Sequence, residues 1–264
     1  MYKNYKNWFS LLWGLCLSIT LFGQGNSPYY LSLKREILYV GGGISSTLLG
    51  RYLKGKTPEL MFSDLREMDI NSFDRIAIDF SSEEADKWSN NTLFVSAGLP
   101  LLFLGGKKTR RDFGKIALLF GETMLINQGL SDIIKSTSLR PRPYVFDENL
   151  DPATILRSND RASFLSGHTS TSAAATFFFA RVFSDYYPDS KLKPYVWGLA
   201  ATLPAVTGYL RVRGGKHYPT DVIAGYILGG GIGYLVPLLH KKPLKKKGLT
   251  VAPAGSGIYL GYKF

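Results

Sequence analysis

Two polar stretches of the chain hold residues whose types and spacing could do chemistry. Arginine forks match pairs of phosphoryl oxygens, and lysine adds a mobile positive charge. Histidine moves protons near neutral pH and can act as a nucleophile. The first stretch supplies Lys135, Arg142, Ser166, Gly167 and His168. The second supplies Arg211, His217 and Asp221. Two of the three histidines of the chain therefore lie among long cationic side chains, a combination that favours phosphoryl transfer.

Several of these residues have ordinary structural explanations when they are taken singly. Lys135 ends a predicted helix, where a cation is favoured, and Ser166 precedes another, as an N-cap would. Taken together they predict more. Asp221 follows His217 by four residues, within reach of one imidazole nitrogen across a helical turn. That contact would fix the tautomer and leave the other nitrogen as a nucleophile, while His168 would protonate a leaving alkoxide.

Three ordered motifs carry a resemblance to a known superfamily. Lys135 stands seven residues before Arg142-Pro143, Ser166-Gly167-His168 follows, and Arg211 precedes His217 by six residues. This pattern resembles the signature of the type-2 phosphatidic acid phosphatase and vanadium haloperoxidase superfamily, over roughly Trp88–Leu239. Two positions depart from it, because Leu165 stands where the family usually has Pro and Leu210 where it usually has Ser. The second departure removes a hydroxyl that would bind phosphate.

The resemblance implies an all-α core and metal-independent hydrolysis of phosphomonoesters or pyrophosphates through a phosphohistidine. It implies that His217 is the nucleophile, Asp221 its orienting residue and His168 the general acid. The groups that would hold the phosphoryl oxygens are Lys135, Arg142, Ser166, Gly167 and Arg211. No metal and no cofactor is expected. Vanadate is expected as an inhibitor, or as the cofactor of a haloperoxidase.

The segments that must position these residues predict an all-α bundle. Five to six of its helices are expected to span a membrane or to lie against one. Hairpin turn chemistry is absent between the apolar segments, which are Trp88–Gly106, Ile116–Ile134, Thr169–Phe183, Pro194–Leu210 and Val222–Leu239. Gly225, Gly229 and Gly233 place a smooth stripe on one helix face, and such a stripe allows two membrane helices to approach closely.

The N-terminus resembles an export signal. Lys3 and Lys6 precede the uncharged apolar run Trp8–Phe22, and small residues follow it. An uncleaved anchor helix, which would be the first of six spans, is the alternative. We divide the chain into four parts: the signal or anchor 1–23, an exported segment 24–87, the phosphatase core 88–239, and a basic tail 240–264 that ends in a possible short hairpin.

Charge predicts the orientation and the partner. The formal net charge of +12 points to an anionic partner. If the apolar segments span, the basic connectors Lys107–Lys115 and His240–Lys247 share one side, which the positive-inside rule makes cytoplasmic. Both polar stretches then face the periplasm. Phosphatidic acid, phosphatidylglycerol phosphate, isoprenyl pyrophosphates and lipid A phosphate all fit such a site, and the sequence leaves the oligomeric state open.

Other functions remain as alternatives. A soluble periplasmic acid phosphatase acting on small phosphate esters would use the same residues, and a vanadium haloperoxidase would bind vanadate through His217. A metallohydrolase built on His168, His217 and Asp221 is disfavoured, because the nearby cations would repel a metal ion. A non-enzymatic membrane or surface protein leaves those cations and histidines unexplained. Nucleic-acid binding is not supported, since the basic clusters lack interleaved aromatic residues.

Overall fold

A computed structural model describes residues 27–59, 65, 70–146, 157–242, 248–254 and 257–263. The chain forms a helical bundle, which confirms the predicted all-α class. Its helices are α1 (Leu33–Lys54), α2 (Glu83–Gly98), α3 (Lys107–Arg111), α4 (Phe113–Ser138), α5 (Gly167–Tyr186), α6 (Lys193–Arg213) and α7 (Pro219–Leu239). Short 3-10 helices lie at Arg75–Ala77, Leu99–Leu104, Pro143–Phe146 and Ser158–Arg161.

Helix boundaries follow from local capping chemistry. Ser82 precedes α2 and its hydroxyl accepts a hydrogen bond from the Ala85 amide at 3.2 Å, while acidic residues fill the first turn. Ser166 caps α5 in the same way. Proline occupies the first turns of α6 and α7, where its missing N–H costs nothing. The helix starts nearest the predicted site are thus fixed by the sequence immediately around them.

Helix α5 is the centre of the bundle, and α7 packs closely against it. A Cβ atom added at Gly225, Gly229 or Gly233 would collide with a main-chain carbonyl of α5 or of its cap. The sequence stripe is therefore the surface through which the two backbones touch. This contact holds the start of α7, with Asp221, beside the start of α5, with His168.

Helix α1 belongs to the bundle, which the sequence division did not anticipate. It runs parallel to α4, with Gly43 against Leu125 and Gly50 against Asp132. Its alternation of glycine and serine with apolar residues is what this close packing requires. The predicted segment 24–87 thus contributes a helix to the same bundle as the core. The proposed first span, Trp8–Phe22, lies outside the described residues.

Apolar side chains cover the outer faces of several helices, and the interior combines an apolar cluster around Ile116 and Phe178 with many small and polar residues. Leu38 of α1, Phe94 of α2 and Ile227 of α7 are 69%, 72% and 68% exposed. Asn127, Ser172 and Thr207 are buried. Within the described ranges, α7 is the one helix whose length and composition would let it cross a membrane. The polar residues inside α4 and the break between α2 and its 3-10 extension explain why fewer helices qualify than the five apolar segments.

The C-terminal tail contains a two-stranded antiparallel hairpin. Strand β1 (Gly248–Ala254) pairs with β2 (Gly257–Lys263), with Val251 opposite Leu260. The strands flank the turn that the sequence placed at residues 254–257. Phe264 lies outside the described residues.

The glycine stripe yields a paired test of the α5–α7 contact. We expect Gly229→Ala to destabilise the protein by about 1–3 kcal/mol, because the added methyl group meets the Ser170 carbonyl. Gly231→Ala is the matched control, since nothing lies within 4 Å of its Cβ position. The control is expected to be neutral or to stabilise by up to about 1 kcal/mol through helix propensity. Thermal unfolding measures both, and equal unfolding temperatures would contradict the close-contact interpretation.

Candidate active site

The predicted site residues converge at one end of the bundle. This end is formed by the C-terminal turns of α4 and α6, the N-terminal turns of α5 and α7, and the loop that joins α6 to α7. The charges that act most strongly on the His217 imidazole are those of Arg142, Lys135 and Arg211, followed by His168. Residues separated by up to 82 positions in the sequence therefore surround one buried ring.

His217 is buried, with 1% of its surface exposed, and its ring is held by one main-chain acceptor. Nδ1 lies 2.8 Å from the Ser163 carbonyl oxygen. A carbonyl oxygen only accepts hydrogen bonds, so Nδ1 carries the proton and Nε2 keeps its lone pair. Burial lowers the pKa of His217 well below its usual value, and the neighbouring cation Arg142 lowers it further. The ring is thus a neutral base with a defined reactive nitrogen.

Asp221 contacts His217 less directly than the sequence predicts. Its Oδ2 is 3.6 Å from Nδ1, beyond a good hydrogen bond. The same oxygen accepts from the Ser163 hydroxyl at 2.5 Å and from the Tyr218 amide at 2.9 Å. Those two donors occupy it, so Asp221 fixes Ser163, and the Ser163 carbonyl in turn orients the ring.

Arg211 is positioned by acidic and hydroxyl partners from α2. Its Nη1 donates to Asp86 Oδ1 and, at 3.2 Å, to Ser89 Oγ. Its Nε is buried and has no hydrogen-bond partner in the described part of the chain. Leaving a buried N–H without an acceptor is costly, so this donor is expected to be stabilised when an anion binds and accepts its hydrogen bond.

Arg142 is held by main-chain acceptors and Lys135 lies against the start of α5, and within the described residues neither side chain forms an ion pair with a carboxylate. Arg142 donates to the carbonyl of Asn159 at 3.1 Å and to that of Lys216 at 3.4 Å. Lys135 Nζ lies 2.9 Å from the position a Cβ would take at Gly167. Glycine at this position therefore lets the ammonium group reach the start of α5.

Ser166 and Gly167 contribute mainly through the backbone. The Ser166 hydroxyl lies 2.9 Å from Thr169 Oγ1 and accepts from the Thr169 amide at 3.5 Å, so it is used as a helix cap. The first amides of α5 have no intrahelical acceptor and form the positive end of the helix dipole. The helix start is thus an anion-binding element beside the cations.

His168 has a partner that sequence reasoning missed. Its Nε2 lies 2.7 Å from Asn90 Oδ1 on α2. The amide oxygen accepts, so Nε2 donates and Nδ1 is left available, with the amide orientation assigned by this bond. The available sequence signal was the pair Asn90-Asn91 within an otherwise apolar, uncharged segment.

A second missed feature ties the segment before α2 to the site. Arg140 donates to Asp221 Oδ1 and Asp74 Oδ2, both at 2.6 Å, and it stacks on the Tyr218 ring at 4.1 Å. Asp74 also accepts from the Thr220 amide and hydroxyl. Burial alone would raise the pKa of Asp74, but hydrogen bonds from Thr220 and Arg140 lower it overall. Neither Arg140 nor Asp74 is among the residues that the sequence predicts for the site, so this bridge was missed.

Removing the Asp74 carboxylate should loosen the site and destabilise the fold. We expect Asp74→Asn to cost about 3 kcal/mol of unfolding free energy, because Arg140 loses one of its two buried partners. The folded-state pKa of Asp74 is lowered, so its contribution is present above its unfolded pKa of about 4 and is lost as pH falls through the folded value.

Unfolding of the wild type and the Asp74 variant from pH 7 down to about pH 3 measures this effect. The difference between the two proteins should shrink with acidification. The exposed Asp79→Asn change serves as the control. A difference that is constant over this pH range would contradict the bridge.

Comparison with known proteins agrees with the motifs. Residues 116–245 match the family model of the PAP2 superfamily. No curated protein matches the chain. A solved structure described as the first transmembrane PAP2 type phosphatidylglycerolphosphate phosphatase from Bacillus subtilis is 22% identical, with a TM-score of 0.45. The match covers 75% of this chain and 94% of that chain.

The structure of Aquifex aeolicus LpxE is 21% identical to this chain, with a TM-score of 0.41. That match covers 61% of this chain and 90% of the other. The matched family segment includes the end of α4, the starts of α5 and α7, and both histidines of the site. Residues 116–245 therefore belong to the PAP2 superfamily, the group that the three motifs resemble.

Proposed function

We propose that this protein is a metal-independent phosphatase in which His217 is the nucleophile. The observation that carries the proposal is the single hydrogen bond from His217 Nδ1 to the Ser163 carbonyl, inside a group of three cations. This bond leaves a neutral Nε2 with its lone pair next to groups that attract phosphoryl oxygens. Cations near a neutral imidazole nitrogen favour attack on a phosphoryl group, because they offset the negative charge of its oxygens.

The proposed reaction has two displacements at phosphorus. Nε2 of His217 forms a bond to phosphorus as the bond to the leaving oxygen breaks. His168, which has first taken up a second proton at Nδ1, gives that proton to the leaving oxygen. Water then attacks the phosphohistidine, loses a proton to His168, and releases inorganic phosphate and the free imidazole. Throughout, Lys135, Arg142 and Arg211 neutralise the phosphoryl oxygens.

The cations take the part that Mg²⁺ plays in many phosphotransferases. Vanadate, a mimic of five-coordinate phosphorus, is therefore expected to bind to His217 and inhibit. Bromide-dependent oxidation by peroxide in the presence of vanadate would instead identify the haloperoxidase alternative.

The substrate we propose is a phosphorylated lipid. A groove of about 730 Å³ opens beside the start of α7, lined by apolar residues that include Phe73, Ile76, Phe80 and Ile223. It lies next to the loop that carries His217, so a headgroup in the site would place its apolar chain toward this groove. Phe73 and Ile76 are more than half exposed, which is costly in water but favourable at a lipid surface.

We infer that the bundle lies in a membrane from the large apolar side chains on the outer faces of its helices. The exposed faces of α1, α2 and α7 carry large apolar side chains, while Ser, Thr and Gly fill the helix contacts. This is the distribution that lipid favours, because apolar surface then need not be buried and close helix packing supplies the stability. A water-soluble bundle would carry polar side chains on those outer faces.

Charge sets the proposed orientation. The end opposite the site carries α3, which is basic along its whole length, together with Lys241 and Lys242. Short basic connectors mark the cytoplasmic face, so the site faces the exported side. There it would act on headgroups that have already crossed the membrane.

The position of α1 constrains the N-terminus under this orientation. The Tyr30 amide donates to the His240 carbonyl at 2.9 Å, so α1 begins at the basic end. A chain that enters α1 from the cytoplasm has not been cleaved as an exported preprotein within Trp8–Phe22. A soluble periplasmic phosphatase with a cleaved signal, which is the alternative, has no such constraint.

Alanine variants of His217 and His168 should lose activity at different steps of the reaction. We expect His217→Ala to lose more than about 10³-fold in turnover and to form no acid-labile phosphoenzyme. His168→Ala should lose about 10²–10⁴-fold with a poor leaving group and much less with p-nitrophenyl phosphate. Labelled substrate and acid quench measure the intermediate, which should accumulate in His168→Ala. Retention of label by His217→Ala would overturn the assignment.

Two single cysteines test the topology in a Cys16→Ala background. Lys56 is exposed at the site end, after α1, and Lys191 is exposed at the other end, between α5 and α6. In intact spheroplasts Lys56→Cys should react with an impermeant maleimide, and Lys191→Cys should react only after lysis. Met1 should be retained in the purified protein. The soluble phosphatase would give three different results. Both cysteines would be labelled in intact spheroplasts, about 25 N-terminal residues would be missing, and carbonate would release the protein from the membrane.

A further inference from the structure

A buried cluster at the end of the bundle opposite the active site has no part in the proposed reaction. Glu36 of α1, Glu122 of α4 and His240 after α7 each offer one ligand atom, and these atoms lie within 4.8 Å of one another. The three residues are 1%, 2% and 0% exposed. Helix α7 separates His240 from the catalytic loop by 21 residues, about 30 Å along its axis.

The imidazole is oriented toward the two carboxylates. His240 Nδ1 lies 2.7 Å from the Val236 carbonyl oxygen, which only accepts, so Nδ1 carries a proton. Nε2 lies 3.0 Å from Glu36 Oε2 and 3.4 Å from Glu122 Oε2. The backbone bond at Nδ1 is the kind that fixes the tautomer of metal-binding histidines.

Glu122 provides the independent observation. Its carboxylate is buried, and neither oxygen accepts a hydrogen bond within the described ranges of the chain. Glu36 differs, because its Oε1 accepts from the Ser32 amide at 2.9 Å and lies 3.5 Å from Arg35 Nε, which leaves Oε2 for the cluster. Two carboxyl groups that face one another in a buried space are stabilised when a positive ion, either a proton or a metal ion, lies between them.

The spacing fits a small tetrahedral metal ion. Ligand atoms about 2.0–2.2 Å from Zn²⁺ are about 3.3–3.6 Å apart in a tetrahedral site. The separations of 3.0 and 3.4 Å from Nε2 to the two carboxylate oxygens are close to that value. One imidazole and two carboxylates form a set that Zn²⁺ accepts, with a fourth position left for water.

We propose that Glu36, Glu122 and His240 form a structural zinc site that joins α1, α4 and the end of α7. The metal connects residues that lie 204 positions apart. It cross-links the helices at the end of the bundle that is opposite the active site. It takes no part in phosphoryl transfer. The proposal concerns a different end of the molecule from the proposed function, so either can fail without the other.

Metal content and thermal unfolding test the proposal on the full-length chain, purified in detergent without a polyhistidine tag. After chelation and incubation with Zn²⁺, the wild type should hold about one zinc per chain, and its unfolding temperature should rise above that of the stripped protein. Glu122→Gln keeps the size of the side chain and should reduce zinc at least tenfold. The exposed Glu83→Gln is the matched control and should bind as the wild type does.

X-ray absorption at the zinc edge keeps the test independent of how well the variants fold. The wild type should show one imidazole and oxygen ligands without sulfur. Stripped protein should keep its phosphatase turnover, because the site is remote from His217. Fewer than about 0.1 zinc per chain together with an unchanged unfolding temperature would overturn the proposal and leave protons as the counter-charge. A sulfur ligand would also overturn it.

Discussion

A group of like charges gathered around one buried ring is the constraint on which the rest of the structure depends. Lys135, Arg142 and Arg211 repel one another, and each loses hydration near His217. Their positions must therefore be maintained by contacts elsewhere in the fold. Asp86 neutralises Arg211, main-chain carbonyls hold Arg142, and the glycine at position 167 gives Lys135 its space. An incoming phosphoryl group would relieve this repulsion, so the arrangement of charges favours the binding of an anion.

Helices α5 and α7 meet this constraint through close backbone contact between small residues. The α5–α7 pair brings two helix starts together because glycine lies on one side and serine or alanine on the other. This arrangement places two positive dipole ends at one point. It also explains why the outer faces can be apolar: the packing between helices does not use those side chains. The glycine stripe therefore has two consequences. It allows helices with apolar outer faces to pack closely, and it brings the two helix starts of the site together.

Much of the site could be predicted from the sequence, because its motifs are local and their spacing reports function. The all-α class, the glycine stripe and the convergence of both histidines with the three cations followed from such signals. The Ser163 carbonyl, Asn90 and Asp74 could not be predicted in this way. A main-chain acceptor has no sequence signature, and the other two reach the site through contacts 78 and 146 residues apart in the chain. Helix α1 was missed for a related reason, since its small residues match α4 only in three dimensions.

The contact between the start of α1 and the residues that follow α7 has a consequence for biosynthesis. Glu36 is among the first described residues to be made, and its partner His240 follows 204 positions later. At ribosomal rates of about 5–20 residues per second, His240 is synthesised on the order of ten seconds or more after Glu36. During this interval a carboxylate that will be fully buried has no imidazole to meet it. Until then α1 depends on its contacts with α4, which are the glycine packing and the hydrogen bond from the Ser136 hydroxyl to the Gly50 carbonyl. The bundle closes only when its last helix is complete.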